Sequence, residues 1–122
     1  MEKKHNLKKS SVEIGHINET KACKYLINKG YKILARNYRL KFGEIDIICS
    51  KDKTIIAIEV KTLKSCWDEE DILYLISPLK RYKIKNVFAN YLATNNLITY
   101  YNTRFDVIVV LGDKIRHYSG AF

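Results

Sequence analysis

The sequence predicts an α/β fold, a central mixed sheet flanked by helices in one domain of 122 residues. Three observations carry that expectation. Apolar residues recur with helical spacing in two stretches and alternate along several others, giving the order α-β-β-β-α-β-β. No internal repeat or linker-like tract divides the chain. The composition, 47% hydrophobic and 29% charged with five glycines and one proline, is that of an ordinary globular core.

The elements follow in order. Residues 1–10 read as a flexible basic arm and 11–122 as the domain. Ser10 or Ser11 suits a helix N-cap, with Glu13 in the first turn. Ala22, Tyr25 and Leu26 then recur at helical spacing, joined by Ile14 or Gly15, and Gly30 stands where a left-handed C-cap belongs. Tyr31–Leu34 is expected as a short strand, and Asn37–Lys41 as a second strand or an extended connection. Gly43 opens a clearer strand over Glu44–Cys49, a turn follows at 50–53, and Thr54–Lys61 returns as the other arm of a hairpin. After Pro78, Leu79–Leu92 reads as a helix, with Leu79, Tyr82, Val87 or Phe88, and Tyr91 or Leu92 toward one side. Strands are expected at Leu97–Tyr101 and Arg104–Leu111, and Lys114–Tyr118 as an edge strand. Residues 64–77 show no period. Their acidic run, Asp68 to Asp71 beside Trp67, predicts a mobile flap or packing on a second subunit, which leaves a homodimer open.

Charge narrows the partners. The net charge is +9, and it is uneven: residues 1–41 hold 11 basic and 3 acidic side chains, while residues 42–122 hold 11 and 10. A basic third beside a near-neutral remainder fits a polyanionic partner, because Lys and Arg release counterions from phosphate backbones. A Lys-rich solvated surface fits as well. No apolar run reaches the ~20 residues of a membrane helix, so no membrane association is expected. Cys23, Cys49 and Cys66 form no C-x-x-C pair, which points to reduced thiols in a cytoplasmic protein. His5, His16 and His117 share no local spacing and read as surface residues. Asp106 reads as structural, an acceptor at a buried edge or turn.

The hairpin carries the chemistry. Glu59 and Lys61, two apart on a strand, project from one face. With the turn at 50–53, Cys49 opposes Thr54 and Asp46 lies diagonal to Glu59. If Asp46 opposes Glu59 directly, the faces still agree. Two carboxylates and an ammonium then converge opposite an apolar side made of Ile45, Ile47, Ile56, Ile58 and Val60. Magnesium, or manganese in its place, suits the gap between the carboxylates. It would polarise a phosphodiester and acidify a bound water, with Lys61 on that water or on the developing charge. A surface salt bridge between Glu59 and Lys61, with Asp46 in solvent, accounts for the same parity.

At these residues the sequence resembles the PD-(D/E)XK restriction-endonuclease-like nucleases, and more closely the small bacterial YraN-like proteins of that fold. The resemblance runs through Gly15, Glu19, Ala22 and Leu26, Gly30-Tyr31, Asn37, Gly43-Glu44-Ile45-Asp46, Glu59-Val60-Lys61, Lys80 and Arg104-Phe105-Asp106-Val107, with Ala121-Phe122 at the end. It implies a restriction-endonuclease-like fold and a metal-dependent endonuclease with Asp46, Glu59 and Glu19 as metal ligands and Lys61 as the fourth catalytic residue. By similarity to archaeal Holliday-junction resolvases, Glu19 would act from the first helix. Glu44 ranks below Asp46 and Glu59. The implied substrate is nucleic acid, DNA ahead of RNA, branched or nicked. Lys21, Lys24, Arg36, Arg39 and Lys41, with Lys80, Arg81, Lys83 and Lys85, would hold its backbone. The sequence departs from the family at Asn18, where a small residue is usual, at Leu63, where a basic one is, and in residues 66–78. Two rivals stand: a nucleic-acid-binding adaptor that keeps the fold without turnover, and a scaffold for an acidic protein.

Overall fold

The computed structural model describes residues 9–65, 74–98 and 102–122. Its elements are α1 (Ser11–Asn28), β1 (Lys32–Leu40), β2 (Gly43–Lys51), β3 (Thr54–Thr62), α2 (Pro78–Thr94), β4 (Asn102–Leu111) and β5 (Lys114–Tyr118). The strands form one mixed sheet in sequential order. Neighbours are antiparallel except β3 and β4, which run parallel. A parallel pair needs a crossover, and α2 lies within it. None of the described helices is long and apolar enough to cross a membrane.

One helix covers each face. Ala22, Cys23 and Leu26 of α1 pack on Ile47, Cys49, Ile56, Ile58, Ile108 and Val110. On the other face, Ile84, Val87, Phe88, Tyr91 and Leu92 of α2 pack on Ile45, Ile48, Ile55, Ala57, Val107 and Val109. Strands covered on both sides must be apolar on both, hence runs such as Ile55-Ile56-Ala57-Ile58. α1 starts on a capping box in which Ser10 Oγ accepts from the Glu13 N–H and the Glu13 carboxylate accepts from the Ser10 N–H. α2 starts on Ser77, whose hydroxyl accepts from the Lys80 N–H, with Pro78 in the first turn.

Several expectations need correcting. The two short strands expected over 31–41 are one, β1. Their apparent break comes from a register shift between Ile33 and Ala35 and from Asn37, whose φ of 50° is in the left-handed region. The turn at 50–53 is tighter: Lys51 pairs with Thr54, leaving Asp52 and Lys53 as a two-residue connection with φ of 50° and 62°. This positive pair is the twist that joins antiparallel strands most compactly. Cys49 therefore opposes Ile56 rather than Thr54. Leu97 and Ile98 are not strand, and the remainder of the strand expected there, 99–101, lies outside the described residues. On α2, Leu79 and Tyr82 are exposed, and the buried stripe begins at Ile84. Trp67 and the acidic run lie outside the described residues, but Ile76 is buried in the α2-side core, so the flap or subunit contact expected of 64–77 does not extend to it.

Candidate active site

The site forms where β2 and β3 part. Their ladder runs from Lys51–Thr54 to Ile47–Ile58 and stops there. Continuing that register would set Asp46 opposite Glu59. Instead the Asp46 carboxylate enters the gap and accepts the Val60 N–H at 2.8 Å, replacing a ladder bond with a side chain. Strand alternation slips at the same point. Ile47 belongs to the α1-side core and Ile45 to the α2-side core, although a regular strand would put both on one face. The single apolar side expected of the hairpin is thus divided. The irregularity is matched on β1, where Asn37 stands between Arg36, paired with Ile47, and Tyr38, paired with Ile45, with its backbone in the left-handed region.

Asp46 and Glu59 line one cleft of about 340 Å³ between β2 and the start of α2. Gly43 lets the two elements approach: a Cβ there would lie 3.2 Å from Val87 Cγ2 and 3.3 Å from Lys83 Cβ. Glu59 is only 3% exposed, and its Oε2 meets two ammonium groups, Lys61 Nζ at 3.5 Å and Lys80 Nζ closer still. The salt bridge expected between Glu59 and Lys61 is present, but Asp46 does not face open solvent.

Lys80 reaches Glu59 because it continues the buried stripe of α2: Lys80, Ile84, Val87 and Tyr91 fall on one side at helical spacing. The same rule governs α1. Asn18 and Glu19 stand one turn before Ala22 and Cys23, on the sheet-facing side. Asn18 is buried and donates to Thr62 Oγ1 at 2.7 Å. The Glu19 side chain is 14% exposed, and its Oε1 is buried with no hydrogen-bond partner among the described residues.

These charges perturb one another. Burial, then the charge of Glu59 and a hydrogen bond shared with it, push the Asp46 carboxyl up to about 8. The Val60 N–H opposes that shift, and the charge of Glu19 adds to it. Burial holds the Lys61 ammonium below its ordinary range despite Glu59, and the positive Lys80 adds to that fall. Burial also acts against charge on Lys80, but its bond to Glu59 and the charge of Glu59 outweigh it, and its pKa is raised. A protonated Asp46 beside an ion-paired Glu59 is how two close carboxylates coexist without a stronger cation. The donors are all oxygen, and Glu19 offers one that accepts no hydrogen bond among the described residues, with His16 Nδ1 3.9 Å away, so the residues present fit a hard divalent ion. Among the described residues, no three His, Cys, Asp or Glu side chains are gathered around one point. Asp46 and Glu59 are the centre, and Glu19 stands back from them.

Residues 18–110, which contain every residue of this site, match the model of the uncharacterised protein family UPF0102. The chain belongs to that family. UPF0102 is the YraN family that the sequence resembles. UPF0102 proteins of Clostridioides difficile, Fusobacterium nucleatum and Treponema pallidum are 44%, 42% and 37% identical to it. The alignments cover 90%, 84% and 84% of this chain and 96%, 85% and 81% of those proteins. Among solved structures, a Holliday junction resolvase, Hjc of Archaeoglobus fulgidus, aligns over 83% of this chain and 72% of its own, with a TM-score of 0.47 and 17% identity.

The other basic residues singled out in this UPF0102 chain are dispersed. Lys83 lines the cleft and Lys41 is exposed beside Phe42 and Gly43. Arg39 is paired with Glu44 at 3.2 Å, which occupies the lesser ligand candidate. Arg81 Nε donates to the Ile76 carbonyl, and Lys85 lies over the Phe105 ring. Lys21 donates to the Gly112 carbonyl, Arg36 donates to Thr20 Oγ1, and Lys24 is exposed on α1.

His117 is a correction. It is not a surface residue: its side chain is 8% exposed and its Nε2 lies 2.7 Å from Asp106 Oδ2. Asp106 is fully buried, accepting also from both Arg104 Nε and Nη2 at 2.8 Å and from the Gly120 N–H at 2.9 Å. Burial raises its pKa, but these donors outweigh it and the carboxyl titrates below its usual range. This is the structural role expected of Asp106. The eleven positions to His117 span the β4–β5 turn, a pairing that local spacing does not reveal.

Proposed function

We propose that this protein is a divalent-metal-dependent nuclease that hydrolyses nucleic-acid phosphodiesters, with DNA its substrate. The observation that carries the reading is the pair Asp46 and Glu59 in one cleft, with Asp46 raised by its burial and by Glu59 and two lysines on Glu59. The resemblance of Gly43–Asp46 and Glu59–Lys61 to the nuclease signature supports it. Asp46 and Glu59 would hold the ion directly and Glu19 through water. The ion, when bound, supplies Lewis acidity and a more acidic water.

The chain's own residues supply the rest. Glu59 keeps the Lys61 ammonium at the cleft, where it orients the attacking water and offsets negative charge growing on the phosphoryl oxygens. Attack forms the new P–O bond as the bond to the leaving sugar oxygen breaks. That oxygen ends with a proton, and the water has lost one. Lys83 on the cleft wall holds a neighbouring phosphate and fixes the strand in place.

The test uses branched, nicked and linear DNA, and RNA, with magnesium or manganese. Glu59→Ala should abolish both cleavage and the metal-dependent stabilisation, which for wild type is ~2.7 kcal/mol at a hundred times Kd and is read as a rise in melting temperature. Lys61→Met should keep the metal-dependent rise and lose cleavage. One observation favours a second reading, a nucleic-acid-binding adaptor: the acidic residues do not converge as a three-ligand cluster among the described residues. DNA binding by wild type with neither cleavage nor a metal-dependent shift would establish the adaptor instead.

A further inference from the structure

We infer that Lys80 is the site's resident counter-ion: its ammonium occupies the cation position on Glu59, and a divalent metal enters by displacing it. The inference rests on the metal-dependent reading above and names a positioning residue for it. Glu59 is almost wholly buried, and its Oε2 already faces two positive groups. A third cation on that oxygen would sit against both of them, at a separation where like charges repel strongly in a half-dry cleft. One ammonium must leave.

Geometry selects Lys80. Lys61 projects from β3 beside Glu59 and is the more enclosed of the two, its side chain 25% exposed against 44% for Lys80. Lys80 stands in the first turn of α2, with its backbone N–H fixed on Ser77 and its flexible stem on the wall of the open cleft. Its stem can turn outward into the open cleft without moving the helix. Its position also runs against local preference. The first turn of a helix favours acidic side chains, yet α2 has none there and carries Lys80 instead. The pairing with Glu59 across the layers offsets that cost.

Two measurements on the full chain test this. The first is manganese affinity by calorimetry for wild type, Lys80→Met and Lys80→Arg. Lys80→Met should bind about tenfold tighter, the effect of ~1.4 kcal/mol of removed competition, while Lys80→Arg stays near wild type. The second needs no variant: the rate at which an acylating reagent labels Lys80 in wild type, read by mass spectrometry. Manganese should raise that rate several-fold and leave Lys24 and Lys53 unchanged. Wild type that binds manganese without faster Lys80 labelling, or with equal or weaker binding in Lys80→Met, overturns the counter-ion role and leaves the nuclease reading intact. Wild type that binds no manganese overturns both.

Discussion

At the scale of single residues, Asp46 decides how the metal-free protein responds to pH. Its folded pKa, about 8, lies far above the ordinary value of 3.8. The folded state therefore holds this proton more tightly than the unfolded chain does. The resulting stability is complete below about pH 4 and is lost as pH rises through 8. Asp46→Asn keeps an acceptor for the Val60 N–H and removes the ionisation. The metal-free variant should melt higher than wild type at pH 8.5, and the gap should close toward pH 5, as a set of thermal melts will show. A variant that melts below wild type throughout would mean that the carboxyl stabilises the fold as an anion. Spacing on one strand made Glu59 and Lys61 legible in the sequence. Lys80 was legible as a basic residue and as part of the resemblance, but not as a partner of Glu59. Its place on Glu59 follows from stepping the α2 stripe back one turn from Ile84, which Leu79 and Tyr82 obscured as apolar neighbours on the exposed side.

At the scale of elements, the hairpin was legible and its details were not. Alternation and a polar turn located β2 and β3, but the turn chemistry is atypical. Asp-Lys fills a connection whose two positive φ values ordinarily call for Asn-Gly or Asp-Gly. Lys53 bears the steric cost of that conformation. Lys53→Gly should raise stability by about 1 kcal/mol, measured by urea titration, with the Lys53 carbonyl still accepting from the Asn102 N–H. A loss of stability would mean that the lysine side chain contributes more than its backbone costs. β1 was read as two pieces for a related reason. A register shift and one left-handed residue both break the period on which a strand is recognised, and the second of these, Asn37, stands opposite the site.

At the scale of the whole molecule, charge and layers combine. Among the described residues, basic side chains stand on both sides of the sheet. Lys24 stands on α1, over one face of the sheet, whereas Lys83 stands on α2 at the cleft. Reversing Lys83 to Glu should weaken DNA binding about equally for all sequences and lower the salt slope by about 1, whereas Lys24→Glu should change both less. Titrations at two salt concentrations measure this, and equal effects would mean that DNA meets both faces.

The order of the sheet also bears on how the protein reaches its native state. Three of its four pairings join consecutive strands by short turns, and only β3 with β4 closes a long loop, from Thr62 to Asn102. Closing it costs more chain entropy than forming any hairpin, so the slow step of folding falls on this parallel contact. α2 lies inside that loop. Asp46, Glu59 and Lys61 come together with the β2–β3 hairpin, early and local, but Lys80 joins them only when the loop closes. Glu59 therefore has Lys61 beside it from the start and gains its second ammonium last. Stopped-flow folding of the metal-free protein should slow as pH rises through about 8 and Asp46 ionises beside Glu59.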